Sequence, residues 1–183
     1  MAAENAAERL RELEGGAALA DVLALFDSLP AARVEDLTGT WRGNGIDTGN
    51  PLDGLLERFG WYGKSFDGPE RAHPLLFSAS GGRVVSINPA FVPIGPMLKV
   101  ADKLDSPAAA ALFRLLMPLV TTREPRARLR MVEYRGVSSA AMVYDALPIY
   151  DPFRAVDGNT LLCAMDLRGA EAPFMFVLRR EAA

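Results

Sequence analysis

The chain has 183 residues, of which 50% are apolar and 23% are charged, and its net charge is −3. This length and mixture are sufficient for one domain with a buried core, and the acidic balance argues against a nucleic-acid-binding protein, which usually carries a basic face. No apolar run reaches the ~18 residues of a membrane span, and the single Cys163 cannot form an internal disulfide, so we expect a cytoplasmic protein.

The first part of the sequence predicts two helices. Residues 3–14 are rich in Ala, Glu, Leu and Arg, which favour helices. A second helix over 17–28 carries an apolar stripe at helical spacing. The stripe consists of Leu19, Val22, Leu23 and Phe26. We expect residues 1–32 to form a helical appendage that packs on, or caps, a single domain spanning 33–183.

Two further helices are predicted in the middle of the chain. Pro51 suits the first position of a helix, and Gly60 ends it. The apolar residues between them, Leu52, Leu55, Leu56 and Phe59, recur at helical spacing and form one face. The other helix begins at Ser106 and runs to about Leu119. Either Pro118 or the Thr pair that follows it ends this helix.

Strand patterns dominate the rest of the sequence. "PLLFSAS" and "GRVVSINPAFVPIG" predict two strands joined at Gly81 and Gly82. From Arg126 onward five strand-length pieces are separated by Gly, Pro or Asp, and "VDGNT" favours a hairpin turn. Short consecutive strands with tight turns indicate an antiparallel meander and argue against a doubly wound nucleotide-binding fold.

The stretch "LTGTWRGNGIDTG", residues 37–49, combines glycines with a Trp. Its spacing fits neither a P-loop nor a dinucleotide-binding loop, and no helical pattern follows directly. We interpret it as the first strand of a β-barrel, in which the glycines allow bending and Trp41 fills one end. In a closed barrel the first and last strands are neighbours, so Arg179 or Arg180 would lie across the indole as a cation–π contact.

Five sequence blocks resemble one protein family. The blocks are "GTWRG", "HPLLF", "INPA", "RMVEYRGVSSAAMVYDALPIYDPFR" and "VDGNTLLCAMDLRG". They resemble bacterial and fungal GXWXG-domain proteins, in which a GXWXG segment precedes a C-terminal domain of unknown function. The resemblance covers roughly residues 33–180. The GxW start is also similar to that of lipocalins and fatty-acid-binding barrels, which implies an α+β protein with an antiparallel lipocalin-like β-barrel around a hydrophobic ligand.

Two places before the meander contain residues suited to acid/base chemistry. His73 is the single histidine, and its ordinary pKa near 6.5 suits proton transfer. The alternative is a structural role, in which His73 precedes a Pro at a loop–strand junction and bonds to the backbone. In "WYGKSF", Tyr62 and Lys64 could polarise a carbonyl group. The alternative is that they pack at a helix end, where the Lys64 charge compensates the helix dipole.

The late strands hold the densest polar material. On a strand, Asp151 and Phe153 share one face and Arg154 lies on the other. The strand around Asp166 is apolar on both faces, so this carboxylate needs an Arg partner, such as Arg154, or is an acid/base group with a raised pKa. Glu133 interrupts another apolar alternation. The same region also contains Tyr144, Asp145 and Tyr150.

These patterns define the candidate site residues. The candidate catalytic residues are His73, Lys64, Asp145, Asp151 and Asp166. The candidate ligand-binding residues are Trp41, Tyr62, Glu133, Tyr144, Tyr150, Phe153 and Arg154. With one histidine and no dense carboxylate cluster, the sequence predicts no metal site and no cofactor.

Three functional hypotheses follow. The first is a barrel that binds a hydrophobic small molecule such as a lipid, terpenoid or polyketide. The second is a cofactor-free isomerase, dehydratase or cyclase that acts on such a ligand, as in secondary metabolism. The third is a structural or partner-binding protein that uses its N-terminal helices. Nucleic acid is not an expected partner, a membrane span is not expected, and a homodimer remains open.

Overall fold

A computed structural model describes residues 2–99 and 106–182. The helices in this part of the chain are α1 (Ala2–Leu13), α2 (Leu19–Ser28), α3 (Leu55–Arg58), α4 (Ile94–Lys99) and α5 (Pro107–Val120). The strands are β1 (Gly39–Gly45), β2 (Trp61–Phe66), β3 (Ala72–Ser78), β4 (Val84–Ile87), β5 (Thr121–Thr122), β6 (Ala127–Tyr134), β7 (Val137–Tyr144), β8 (Ile149–Ala155), β9 (Thr160–Leu167) and β10 (Phe174–Arg180). No helix within the described ranges has the length and apolar character needed to cross a membrane.

The strands form a closed antiparallel barrel. The strand order is β2-β1-β10-β9-β8-β7-β6-β3-β4-β5, and a further pairing of β2 with β3 closes an eight-stranded ring. Strands β4 and β5 extend β3 outside that ring. The first strand therefore pairs with the last, and the prediction of an α+β protein with an antiparallel barrel is confirmed.

The five strands predicted after Arg126 form a consecutive meander. Each of β6 to β10 pairs antiparallel with the next one along the chain. Alternation along β9 places Leu161 and Cys163 in the barrel interior, whereas Leu162 and Ala164 face outward into a second apolar cluster. Because both faces of β9 are covered, its sequence is a nearly continuous apolar run.

The N-terminal helices cover the outward face of β9 and β10. Val22, Leu25 and Phe26 of α2 are buried against the outward side chains of β9 and β10, together with Leu10 and Leu13 of α1. The predicted apolar stripe of α2 is thus used within the chain. This arrangement weakens the hypothesis that the helices serve mainly to bind a partner.

The segment after α2 is hydrogen-bonded into the barrel wall. The Ala155 amide donates to the Pro30 carbonyl at 3.0 Å, and the Ala140 amide donates to the Ala32 carbonyl at 2.9 Å. The Ala32 amide donates to the buried Ser139 hydroxyl at 2.8 Å. Residues 30–32 therefore lie between β7 and β8, next to the stretch where these two strands pair directly.

Two element boundaries differ from the sequence prediction, and a third agrees with one of its two alternatives. The helix expected from Pro51 contains only Leu55–Arg58, because Gly54 adopts a left-handed φ of 71° just before it. Helix α5 begins after its N-cap Ser106 and ends at the Thr pair, as one of the two alternatives predicted; it passes through Pro118 because a proline in the last turn removes only one helical hydrogen bond. The strand expected over 82–95 ends at Ile87 and is followed by a short 3-10 turn and α4.

Candidate functional site

The candidate site is an apolar cavity of about 440 Å³ between the barrel strands and the helical segments that pack over them. This volume lies within the ~300–1,000 Å³ range of small-molecule sites. Aromatic residues of the strands form one side, including Trp61, Phe77 and Phe176. Side chains of α3, α5 and the segment around Phe91 form the other side. Among the described lining residues, the charged or hydroxyl-bearing side chains are Lys64, Tyr144 and Asp151.

A β-bulge at Gly63 turns Lys64 into the barrel. The register between β2 and β3 shifts on both sides of Gly63, whose φ is 144°. A Cβ at this position would lie 2.0 Å from the Trp41 carbonyl oxygen, so only glycine fits. The extra residue changes the inward–outward alternation, and both Trp61 and Lys64 contribute to the cavity wall.

Lys64 has three polar neighbours in this wall. Its ammonium nitrogen lies 2.7 Å from Asp151 Oδ2 as an ion pair. It also donates hydrogen bonds to the Pro74 carbonyl at 3.1 Å and to the Tyr144 hydroxyl oxygen at 3.0 Å. All three side chains of the resulting cluster, Lys64, Tyr144 and Asp151, are buried. We call these three residues the polar cluster.

Burial and mutual charge control the protonation of the polar cluster. Burial raises the pKa of Asp151 above its ordinary value, and the Lys64 ammonium opposes this rise. Burial alone would lower the pKa of Lys64, but the Asp151 carboxylate and the Tyr144 hydroxyl raise it above the ordinary value. Burial and the Asp151 charge also raise the pKa of Tyr144. At neutral pH the cluster therefore contains a protonated lysine and a neutral tyrosine.

Aromatic rings surround the Lys64 ammonium on its apolar side. The nitrogen lies 5.3 Å from the Tyr144 ring centre, 5.2 Å from that of Phe176 and 5.9 Å from that of Trp61. Cation–π attraction of this kind partly replaces the lost hydration of a buried ammonium group. The ammonium group is thus held at one side of an apolar space.

The structure brings together three of the predicted site residues. Lys64, Asp151 and Tyr144 come from β2, β8 and β7, and all three contact the same cavity. Phe153 lies on the same face of β8 as Asp151, as predicted, but it is packed in the barrel core against Phe66. Phe153 is not among the residues that line the cavity.

His73 and Asp166 lie on the outer surface of the barrel wall. His73 is half-buried, and its Nδ1 lies 3.1 Å from the Ser86 hydroxyl. Burial lowers the pKa of His73. Asp166 is half-buried beside Tyr150, where burial and the Asp166 carboxylate raise the tyrosine pKa to about 12. The partner of Asp166 is thus a tyrosine, whereas the sequence suggested an arginine.

Asp145, Glu133 and Tyr62 also lie outside the cavity lining. Asp145 is exposed in the turn after β7 and forms an ion pair with Arg128 at 3.3 Å. Glu133 is exposed near the end of β6. It lies beyond the start of that strand, where Ala127 pairs with Ala72 of β3. The Tyr62 hydroxyl donates to the Glu181 carboxylate, and its ring lies 4.6 Å below the Arg42 guanidinium.

Trp41 has the structural role expected for the GxW stretch. The indole is buried in the barrel interior and donates to the Thr38 carbonyl at 3.0 Å. Arg180 is paired with Trp41 in the β1–β10 register, and its guanidinium carbon lies 4.3 Å from the indole centre. The predicted cation–π contact is confirmed.

Arg154 is buried on the outer face of β8 beneath α2. Its guanidinium carbon lies 4.8 Å from the Phe26 ring centre, and Nη2 donates to the Tyr134 carbonyl at 3.1 Å. Burial lowers the pKa of this guanidinium. Arg154 therefore holds α2 against the barrel through Phe26. It does not line the cavity.

Sequence reasoning did not single out two parts of the site. Trp61 lines the cavity, and its buried Nε1 has no hydrogen-bond partner among the described residues. Leu112, Phe113 and Leu116 of α5 also line the cavity, and none of them was among the candidate site residues. Leu112 and Leu116 are themselves partly open to solvent, and Leu115 and Leu119 on the same helix are exposed as well.

Comparisons with known proteins identify the family. Residues 24–82 match the model described as GXWXG protein, and residues 125–180 match a domain of unknown function (DUF4334). A protein from Thermomonospora curvata, whose crystal structure is known, is 31% identical and superposes with a TM-score of 0.72, with 100% of each chain covered. The chain belongs to the GXWXG proteins. No curated protein matches this GXWXG protein.

Both matched segments of the GXWXG protein contribute to the cavity. The first contains Gly63 and Lys64, and the second contains Tyr144 and Asp151. The polar cluster therefore forms only when the two segments are folded together in one barrel. Neither family description names a ligand or an activity.

Proposed function

We propose that this GXWXG protein binds a hydrophobic small molecule in the barrel cavity and that the polar cluster fixes its orientation. The observation that supports the proposal is a predominantly apolar cavity of about 440 Å³ with a buried Lys64–Asp151 pair in its wall. At about 30 Å³ for each water-sized group, the space accommodates roughly 15 non-hydrogen atoms. Apolar walls supply binding free energy, and a few fixed polar groups supply orientation.

Binding of a neutral fluorescent probe tests this proposal. N-phenyl-1-naphthylamine becomes brightly fluorescent when it leaves water for an apolar site, so a titration reports its dissociation constant. The variant Ala109→Phe places a ring in the cavity from α5. We expect it to weaken binding at least 10-fold, whereas Ala108→Phe, at an exposed position of the same helix, should bind as the wild type does.

Each possible result of the titration has a clear meaning. A failure of the wild type to bind the probe contradicts the proposal, and so does equal binding by wild type and Ala109→Phe. Thermal unfolding of both variants shows whether the barrel remains folded. Native mass spectrometry of the wild-type protein with the same probe gives the stoichiometry, which we expect to be one.

A second candidate function is acid/base catalysis on the bound molecule. It is favoured by the 2.7 Å contact between two titratable groups, Lys64 and Asp151, in an apolar cavity. Asp151 would accept a proton from a carbon next to a ligand carbonyl, and the Tyr144 hydroxyl would donate a hydrogen bond to the enolate oxygen. In a ligand with a carbon–carbon double bond next to that carbon, return of the proton to the far end of the dienolate moves the double bond, which is an isomerisation.

Hydrogen exchange into a simple ketone tests the second function. We expect the protein in D₂O to accelerate incorporation of deuterium next to the carbonyl of 2-decanone, measured by mass spectrometry. Asp151→Asn should remove the acceleration, whereas Asp145→Asn, a change of an exposed carboxylate, should retain it. Exchange at the protein-free rate would refute catalysis of this step and leave ligand binding standing.

A further inference from the structure

We propose that the ligand class is a neutral, hydroxyl-bearing hydrophobic molecule, in preference to a fatty acid, and that Asp151 accepts the hydrogen bond of its hydroxyl group. The inference rests on the proposed binding function. Some polar groups of the cavity wall have all their hydrogen bonds satisfied, and others have capacity left for a ligand.

Lys64 has no donor left for a ligand. A lysine ammonium has three N–H groups, and its nitrogen contacts the Pro74 carbonyl, the Tyr144 hydroxyl oxygen and Asp151 Oδ2. Since Lys64 donates to the Tyr144 oxygen, the O–H proton of Tyr144 points away from Lys64, and its partner is the Asp151 carboxylate. Tyr144 therefore also has no free donor for a ligand in the polar cluster as it stands.

Asp151 has acceptor capacity to spare. The side chain is 0% exposed, Oδ2 lies 2.7 Å from the Lys64 ammonium, and the Tyr144 hydroxyl is the other polar neighbour of the carboxylate. A carboxylate has roughly four lone-pair sites, so these two neighbours leave acceptor sites for a ligand. Because a buried carboxylate normally accepts several hydrogen bonds, a donor from the ligand would complete its environment.

Trp61 supplies an unused donor nearby. Its Nε1 is buried without a hydrogen-bond partner among the described residues, in a side chain that is 7% exposed. The Lys64 ammonium lies 5.9 Å from the Trp61 ring centre, so the indole belongs to the same end of the cavity. The wall thus offers one acceptor, at Asp151, and one donor, at Trp61.

A hydroxyl group matches this set, because it donates one hydrogen bond and accepts others. An ether or a ketone could accept from Trp61 but has no proton to donate to the remaining lone pairs of Asp151. A carboxylate would also add a second negative charge beside Asp151, whose charge already balances that of Lys64. An uncompensated charge in an apolar cavity is strongly disfavoured.

Three probes of nearly equal size test the inference. The probes are 1-decanol, 1-methoxynonane and decanoate, and each displaces N-phenyl-1-naphthylamine from the wild-type protein at pH 7. We expect 1-decanol to bind at least 10-fold more tightly than either of the others. Equal or tighter binding of decanoate or of the ether overturns the inference and leaves the proposed function standing. If the fluorescent probe binds but no member of the set displaces it, the inference is again overturned.

The variant Asp151→Asn adds an inversion of preference. It leaves the Lys64 ammonium without its counter-charge, so a ligand carboxylate can take the place of Asp151. We expect decanoate to bind at least 10-fold more tightly than to the wild type, and 1-decanol more weakly. Asp145→Asn should retain the wild-type order of affinities. If Asp151→Asn does not fold, the wild-type comparison decides the inference by itself, whereas a folded variant that keeps the preference for 1-decanol overturns it.

Discussion

Replacing Lys64 with methionine removes one partner of a buried ion pair. Met has a similar length and fills much of the same space, so the principal loss is the positive charge beside Asp151. The two charged groups are 2.7 Å apart, and their side chains are 3% and 0% exposed. Breaking a buried pair by removing one partner costs about 3–5 kcal/mol, because the remaining charge has no compensation.

This magnitude corresponds to a large shift in thermal stability. For a chain of this size about 1 kcal/mol changes the Tm by about 2–4 °C, so we expect Lys64→Met to lower the Tm by roughly 6–20 °C at pH 7. The double variant Lys64→Met/Asp151→Leu removes both charges. It should recover most of the loss, since well-packed apolar residues often replace a buried ion pair at little cost.

The loss of folding stability in Lys64→Met also depends on pH. Burial raises the pKa of Asp151 in the folded state, and removal of the ammonium takes away the group that opposes this rise. The folded variant therefore binds a proton that the unfolded chain releases near pH 4. Its stability should be greatest at acidic pH and should fall as the pH rises through the folded pKa of Asp151.

Urea unfolding followed by circular dichroism at several pH values measures these effects. The wild type, Lys64→Met and the double variant form the set, and the double-mutant comparison isolates the interaction of the pair. A loss below about 1 kcal/mol for Lys64→Met would refute the reasoning, as would a double variant as unstable as the single one.

Other regions of the molecule give further predictions. Gly63→Ala should destabilise the barrel by several kcal/mol in urea unfolding, because the new Cβ would lie 2.0 Å from the Trp41 carbonyl oxygen. The control Gly68→Ala has a φ of 90° but no atom within 4 Å of the new Cβ, so it should lose only about 1–3 kcal/mol from backbone strain. His73 has a lowered pKa, so its contribution to stability is present above pH ~6.5 and is lost as the pH falls below that value. His73→Gln should reduce this acid sensitivity in a pH series of Tm values and leave probe binding unchanged. Phe26→Ala should cost about 3–5 kcal/mol, measured by urea unfolding, because the ring is fully buried between α2 and the barrel; a loss near zero would show that the helical cover is dispensable.

The β-rich half of the fold follows from local sequence patterns. The strands after Arg126 are bounded by turn residues, so their number and order could be predicted without knowledge of the barrel. Alternation also placed Asp151 and Phe153 on one face and Arg154 on the other. Closure through Trp41 and Arg180 followed from the requirement that first and last strands meet.

The position of Lys64 could not be predicted in the same way. "WYGKSF" follows an apolar helical pattern, and Lys64 at a helix end would have compensated the helix dipole. Its inward orientation depends on the bulge at Gly63, and the bulge is determined by the close approach of the Trp41 carbonyl from a neighbouring strand. Such a contact between distant residues leaves no periodic signal in the sequence.

For Asp166 the sequence pattern predicted deeper burial than the structure has. Its strand is covered on both faces as far as Ala164, but the helical cover does not extend over Asp166. The apolar run therefore suggested a buried carboxylate where the structure has a half-buried one. Periodicity indicates which face a side chain occupies, and the extent of a neighbouring element determines how deeply it is buried.

The insertion of residues 30–32 between β7 and β8 has a consequence for folding. The Ala32–Ser139 hydrogen bond joins residues 107 positions apart in the chain. The N-terminal segment is synthesised first, yet its place in the wall exists only after residues near 139 and 155 have been made. Contacts of such long sequence separation slow folding, because a large loop must close before they form. We therefore expect residues 30–32 to form their hydrogen bonds with β7 and β8 late in folding, after the C-terminal meander has assembled.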